Sequence, residues 1–187
     1  MHKKKTKHHN KVRIIAGSHR SRWVKFPDTG ALRPTPDMIR EKVFNWLGQY
    51  LTDQKVLDLF AGSGVFAFES ASRGANYVVA VESDREAYRA IKDNRKNLEL
   101  FDVHPIQQNA LCYLKNIEEK FDVIFLDPPY VWDEWDQLLY LLPYHLKNQG
   151  VAYIEAGHLI DFPENFEILR QGKSGKSYYY LICLSLA

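Results

Sequence analysis

The sequence predicts an α/β fold. It comprises a mostly parallel seven-stranded sheet with helices on both faces, an antiparallel strand near the C-terminus, and a small N-terminal β-hairpin. Three observations carry this. Short apolar runs alternate with helical segments from Lys55 to Glu155, the pattern of strands joined by right-handed crossovers. A glycine-rich turn, Gly62-Ser63-Gly64, separates the first such run from the first such helix. Finally, the run Phe121–Leu126, with five apolar residues in six, stops at Asp127-Pro128-Pro129-Tyr130. That reads as a buried strand closed by a rigid polar turn. A residue before proline is held extended, so Asp127 and the carbonyls near it are aimed in one direction. Tyr130 adds a flat ring. Ligands of open α/β sheets bind at the carboxyl ends of the strands, which makes this turn the predicted active site.

The 187 residues suffice for one domain and its core. Hydrophobic residues at 45% and charged residues at 26% are ordinary globular values. The net charge of +2 is unevenly spread: residues 1–25 hold nine Lys/Arg and no carboxylate, leaving 16 basic against 23 acidic side chains elsewhere. A basic arm on an acidic body points to a polyanionic partner, usually nucleic acid. Residues 1–11 read as a disordered basic tail, 12–34 as a hairpin and loop that contribute to binding this polyanion, and 35–187 as the main domain. His2, His8 and His9 lack cysteine or carboxylate neighbours, so no metal site is predicted. Cys112 and Cys183 read as packed thiols, which suits a reducing compartment. No apolar run has the length of a signal peptide or a membrane span, so a cytoplasmic protein, away from membranes and monomeric, is expected.

Taken in order, VRIIAG from Val12 and RWVKF to Phe26 form the hairpin, with a turn at Ser18–Ser21. Arg13, Arg20, Arg22 and Lys25 alternate with apolar residues, which suits phosphate contact on one face and packing on the other. Thr35 is placed to cap a helix from about Pro36 to Leu51, with Pro36 at its first position and Ile39, Val43, Trp46, Leu47 and Tyr50 near one face. Arg33, just ahead of it, is free to meet a ligand. Arg40 could contact a ligand or pair with Asp37 and Glu41. Strands follow at Lys55–Leu59, Tyr77–Val81, Val103–Gln107, Phe121–Leu126, Gly150–Glu155, Phe166–Arg170 and Ser177–Leu186. The intervening helices are Val65–Arg73, Arg85–Leu98, Ala110–Asn116 and Glu134–Leu146, and Gly74 suits the end of the first. Only a turn, Gly172–Gly175, joins the last two strands, so one of them runs antiparallel.

The segment Gly62–Ala67 fits G-x-G-x-x-G/A and Glu82 lies 20 residues past Gly62, which is also the dinucleotide fingerprint. An NAD-dependent dehydrogenase is therefore one reading. Asp58, four residues before Gly62, argues against it, because a carboxylate there repels a pyrophosphate and attracts an amino group. S-adenosyl-L-methionine carries an amino group, a ribose and a sulfonium but no phosphate, and fits better.

VLDLFAGSG at 56–64, Glu82 and DPPY at 127–130 resemble the class I, Rossmann-like methyltransferases that modify amino groups. With RIIAG at 13–17, RPT at 33–35 and REKVFNWL at 40–47, the chain resembles the RsmD-type ribosomal RNA small-subunit methyltransferases over about 12–186. The resemblance implies methyl transfer to N2 of a guanine in small-subunit (16S) ribosomal RNA, within an assembling particle. It implies that Asp58 and Ala61, Gly62, Ser63 and Gly64 hold the methionine part. Glu82, with Ser83 beside it, would bind the ribose, and Asn109 and Ala110 would border the adenine. Asp127, Pro128 and Tyr130 would receive the base. Asn109 stands where many relatives carry Asp, which implies a weaker cofactor grip. Ser21 stands where glycine is common. Amino methylation of adenine N6 in DNA or RNA, and a non-catalytic RNA-binding assembly factor, are the competing readings. Trp132 and Trp135 could wall the base site or pack the next helix.

Overall fold

Residues 9–28 and 35–185 are described by the structure, a computed structural model. In chain order the elements are β1 (His9–Arg13), β2 (Trp23–Pro27), α1 (Asp37–Leu47), β3 (Lys55–Asp58), α2 (Val65–Ser72), β4 (Tyr77–Glu82) and α3 (Arg85–Leu98). There follow β5 (Val103–Gln107), α4 (Ala110–Lys115), β6 (Phe121–Leu126), α5 (Trp135–His145), β7 (Leu146–Ala156), β8 (Phe166–Ser174) and β9 (Ser177–Leu184). The continuous apolar runs of β3, β4 and β6 are buried on both faces, as parallel strands between helix layers must be.

The main sheet has seven strands in the order β5-β4-β3-β6-β7-β9-β8, which bears out the expected α/β class. Neighbours from β5 to β7 are parallel, and β9 runs antiparallel to both β7 and β8. Strand order reverses between β3 and β6. The crevice that such a reversal opens lies at the carboxyl ends of these two strands, beyond Asp58 and Leu126. On one face α1, α2 and the hairpin cover an aromatic core in which Phe66 stacks on Phe125 at 4.6 Å, with Phe44 and Tyr153 beside them. On the other, α4 and α5 cover Leu57, Val79, Ile124 and Ile154.

Hairpin β1–β2 forms a separate two-stranded sheet with Val12 opposite Val24. It begins at His9, so residues 9–11 are strand rather than tail; residues 1–8 lie outside the described part. The strand expected to run through Gly17 ends at Arg13, because the backbone of 15–18 bonds to α2 instead. The N–H groups of Ile15 and Ala16 donate to the Glu69 carboxylate, and that of Ser18 donates to the Ser72 carbonyl at 2.7 Å. Gly17 makes this approach possible: its φ is +81° and a Cβ there would lie 1.8 Å from the Ser72 oxygen. Ser21 adopts φ +67°, a left-handed conformation that glycine adopts freely. Its N–H still closes the turn on the Ile14 carbonyl.

Other boundaries shift for local reasons. Helix α1 stops at Leu47, before Gly48 at φ +94°, and this leaves Tyr50 outside the helix and 76% exposed. Strand β7 starts at Leu146, directly after α5, rather than at Gly150. Strand β8 continues to Ser174, so the final turn is tighter than Gly172–Gly175. Cys112 and Cys183 are free thiols, not a disulfide; Cys183 is half-buried on β9, whereas Cys112 is exposed on α4 rather than packed.

One charged cluster is fully inside. Glu69 on α2 and Arg40 on α1 are both 0% exposed, and Arg73 is 4% exposed. Arg40 and Arg73 donate to opposite oxygens of Glu69, at 3.3 and 2.9 Å, beside the two hairpin N–H groups. Removing one member strands the others in a low-dielectric interior. Glu69→Ala should therefore lower unfolding free energy by about 3–5 kcal/mol in urea denaturation. A loss below about 1 kcal/mol would show that the cluster does not hold the hairpin to the body.

Candidate active site

Strand ends bring four carboxylates to the crevice. Asp58 closes β3, Glu82 closes β4, Asp127 follows β6, and Glu155 lies one residue from the end of β7. The turn after β3 is shaped by Gly62 at φ +51° and Gly64 at φ +78°, the latter at the N-terminus of α2. A Cβ on Gly64 would sit 3.0 Å from Phe68 and 3.1 Å from Ile91. Ala61 N–H donates to the Val81 carbonyl, and the Ser63 hydroxyl accepts from Val65 N–H. Glu82 accepts from Gly62 N–H and from Asp84 N–H, both at 2.7 Å, with the Ser83 hydroxyl at 3.4 Å. Oε2, with one donor, keeps a lone pair for a ligand hydroxyl, whereas Oε1 takes both the Asp84 N–H and the Ser83 hydroxyl. Asp84 caps α3 by accepting from Glu86 and Ala87.

Asp58 is 2% exposed and accepts from Ala67 N–H at 3.1 Å. Burial pushes its carboxyl up to about 7; the Ala67 bond opposes the shift and the charge of Glu82 adds to it. Asp127 is pushed up to about 8, first by burial and then by Glu155, with Asp58 adding a little. The bond from Thr35 works the other way. Among the described residues no Lys, Arg or His pairs with Asp58, Glu82, Asp127 or Glu155. Negative charge is thus assembled and left for a ligand to balance. A cofactor carrying an ammonium and a sulfonium fits that demand, and a pyrophosphate does not.

Thr35 does not cap α1, which has no side-chain cap. Its hydroxyl instead donates to Asp127 Oδ2 at 2.9 Å. Its carbonyl accepts from Arg40 Nε at 3.1 Å, while the Arg40 terminal nitrogens reach Glu69, Asp37 and the Arg13 carbonyl. Arg40 therefore reaches Asp127 through Thr35 and pairs with Asp37 and Glu69 rather than Glu41. Its pKa is lowered by burial, with Glu69 the strongest opposing influence. The Thr35 contact could not be read from spacing, because a threonine before Pro36 fits a cap equally well.

The remaining residues divide by place. Pro128 is buried, and no described donor takes its carbonyl. Tyr130 is 58% exposed; its hydroxyl meets Ser177 Oγ at 2.7 Å, and its ring lies so close to Gly157 that a Cβ there would sit 2.6 Å away. Trp135 is buried on α5, and Trp132 packs edge-on between it and Phe60. Asn109 uses its amide oxygen to cap α4 through Cys112 N–H at 3.1 Å, with Ala110 buried behind it. Asp would cap as well, which is why the exchange leaves the helix intact.

Arg13, Arg20, Arg22 and Lys25 are all exposed on the hairpin. Arg13 lies 3.8 Å from Asp37 at the start of α1, on the Thr35 side. Arg22 adjoins Arg13, its carbonyl taking the Ile14 N–H, whereas His19, beside Arg20, docks at the other end of the helix layer against the Leu98 carbonyl and Ser72. That is the length of α3, 14 residues or about 20 Å, from its Glu82 end. Arg33 lies outside the described residues. No described helix is long and apolar enough to cross a membrane.

A family model described as Conserved hypothetical protein 95 matches residues 12–183. The ribosomal RNA small subunit methyltransferase D of Haemophilus influenzae is 36% identical over 178 residues, 91% of this chain and 92% of that protein. This chain belongs to that family. Among solved structures, Escherichia coli yhhF, described as a methyltransferase, superposes with a TM-score of 0.85 at 31% identity, over 92% of this chain and 97% of that one. The Thermus thermophilus 16S rRNA N2 G1207 methyltransferase, solved with AdoMet and guanosine, shares the fold at 21% identity and a TM-score of 0.70, over 96% of this chain and 50% of that one. The protein is a methyltransferase, and S-adenosyl-L-methionine is its cofactor.

A carboxyl whose folded pKa exceeds its unfolded value, about 3.9, adds stability that is complete below that value and lost as pH rises through the folded one. For Asp58 the loss falls between about pH 4 and 8, with its folded value about 7. Asp58→Asn should flatten this decline and raise stability of the cofactor-free protein at pH 8 by on the order of 2 kcal/mol. Thermal unfolding at pH 5 and pH 8 checks it; equal pH dependence in both proteins would contradict the buried, unpaired state of Asp58.

Proposed function

We propose that the protein transfers a methyl group from S-adenosyl-L-methionine to the exocyclic N2 of a guanine in small-subunit ribosomal RNA, within an assembling particle. The observation that carries this reading is the Asp127-Pro128-Pro129-Tyr130 turn at the switch point, with one Asp127 oxygen fixed by Thr35 and the other left over. The similar proteins named as ribosomal RNA methyltransferases support the substrate class.

A guanine amino nitrogen is a poor nucleophile because its lone pair is spread into the ring. Asp127 Oδ1 and the Pro128 carbonyl each accept one N–H of the amine, which turns the lone pair toward the crevice where Asp58 and Glu82 hold the cofactor. Tyr130 stacks on the base, a contact worth about 1–3 kcal/mol in single-strand recognition. The cofactor supplies a methyl on sulfonium, an electrophile that needs no further activation. That methyl would pass to N2 with its S–C bond breaking, and Asp127 Oδ1 would take the proton that N2 loses. Positioning of this kind supplies several kcal/mol of the barrier. Burial next to Glu155 raises Asp127 to about 8, which suits a group that takes up a proton near neutral pH. Arg13, Arg20, Arg22, Lys25 and Arg33 contact RNA phosphates. The base must leave its stack, so an exposed loop nucleotide is the cheaper target.

Labelled-methyl transfer to small-subunit particles and to naked ribosomal RNA tests this. Particles should be the better substrate, and Asp127→Ala should lose transfer by at least about a hundredfold while cofactor binding persists. Near-normal turnover by the variant would remove the role given to Asp127.

A further inference from the structure

Tyr130 is fixed from outside its own turn. Ser177, at the start of β9, bonds to its hydroxyl at 2.7 Å, so the β8–β9 turn sits directly beside the base-receiving ring. Lys173 and Lys176 are exposed on either side of this turn, and Gly175 at its apex has nothing within 4 Å of where a Cβ would be. Residues 168–187 contain Arg170, Lys173 and Lys176 and no carboxylate, in a chain whose acidic side chains lie entirely after residue 25. Two of the local ammonium groups are held over rings: Lys173 lies 4.6 Å from Tyr178, and Lys42 on α1 lies 5.1 Å from Tyr179. Held cations lose less freedom on binding than free surface lysines do. Arg20, by contrast, adjoins His19, which docks about a helix length from the catalytic edge.

We propose that the β8–β9 turn is a second RNA-binding arm, in which Lys173 and Lys176 contact backbone phosphates flanking the nucleotide that stacks on Tyr130. This rests on the reading of the protein as an RNA methyltransferase. The hairpin turn around Arg20 then grips RNA far from the target, and the β8–β9 turn grips it next to the target. Each phosphate contact displaces condensed counterions, so the contribution is measurable as a salt slope.

The test compares wild type with the Lys173→Glu/Lys176→Glu double variant, and with Lys115→Glu/Lys120→Glu as a control pair exposed elsewhere on the surface. Binding of naked small-subunit ribosomal RNA is followed from low to high salt, with transfer kinetics on particles alongside. The double variant should bind at least about fivefold more weakly at low salt and lose between about one and two units of log–log salt slope. It should show a raised KM for RNA, with unchanged cofactor affinity and little change in kcat. The milder Lys173→Gln/Lys176→Gln variant should move the same way by a smaller amount. Unchanged RNA affinity and slope while wild type still methylates RNA would overturn the arm and leave the proposed function standing. Weakened binding to particles alone, with naked RNA bound normally, would assign the turn to a protein surface and overturn the RNA contact. If wild type neither bound nor methylated RNA, the proposed function and the arm would fall together.

Discussion

The fully buried carboxylate of Glu69 is the point through which the parts of this molecule are joined. It takes two N–H groups from the hairpin, one guanidinium from α1 and one from its own helix. Arg73 passes the connection to the Gln49 carbonyl beyond α1, and Arg40 passes it to Arg13, Asp37 and Thr35. Such an ion cluster is no cheap source of stability, because desolvation offsets much of its Coulomb energy. Its value is geometric: four segments far apart in sequence share one set of hydrogen bonds. The last link, Thr35 to Asp127, carries that rigidity to the turn after β6.

The crevice is built on the opposite principle. Asp58, Glu82, Asp127 and Glu155 converge without a described cationic partner, so burial and mutual repulsion raise two of them toward neutral pH. Folding tolerates this because the groups can hold protons when the site is free. A cation placed among them would reverse the balance, since its charge favours the ionised form of neighbouring acids. The same argument disfavours a dinucleotide, whose pyrophosphate would meet Asp58 where the glycine turn begins. The glycine spacing alone does not separate these ligands; the strand-end carboxylate does.

Much of this was legible in the sequence. Apolar periodicity located the seven strands of the sheet, α3 and β5 fell on their expected bounds, and the prolines after Leu126 marked the end of β6. What stayed hidden depends on long-range partners. Thr35 reads as a cap because the local pattern is that of a cap, and its partner lies 92 residues away. Glu69 sits in a helix that is buried all round, where one carboxylate among apolar residues gives no periodic signal. Asn109 was read for its ligand and proved to be the cap of α4 as well, since one amide oxygen can serve both ends. Gly17 in RIIAG is explained only by the Ser72 carbonyl against it. The hairpin arginines were legible as exposed cations, but that Arg13 lies on the Thr35 side while the turn beside Arg20 docks at the Leu98 end was not.

The central claim is that this crevice methylates a guanine amine rather than another amino group. Nucleoside analysis of small-subunit ribosomal RNA, labelled in its particle by the protein and S-adenosyl-L-methionine, tests it most directly. The label should be recovered as N2-methylguanosine. Label in N6-methyladenosine would keep the Asp127 turn and contradict the assigned base. Cofactor binding with no label in any nucleoside would contradict the catalytic reading itself.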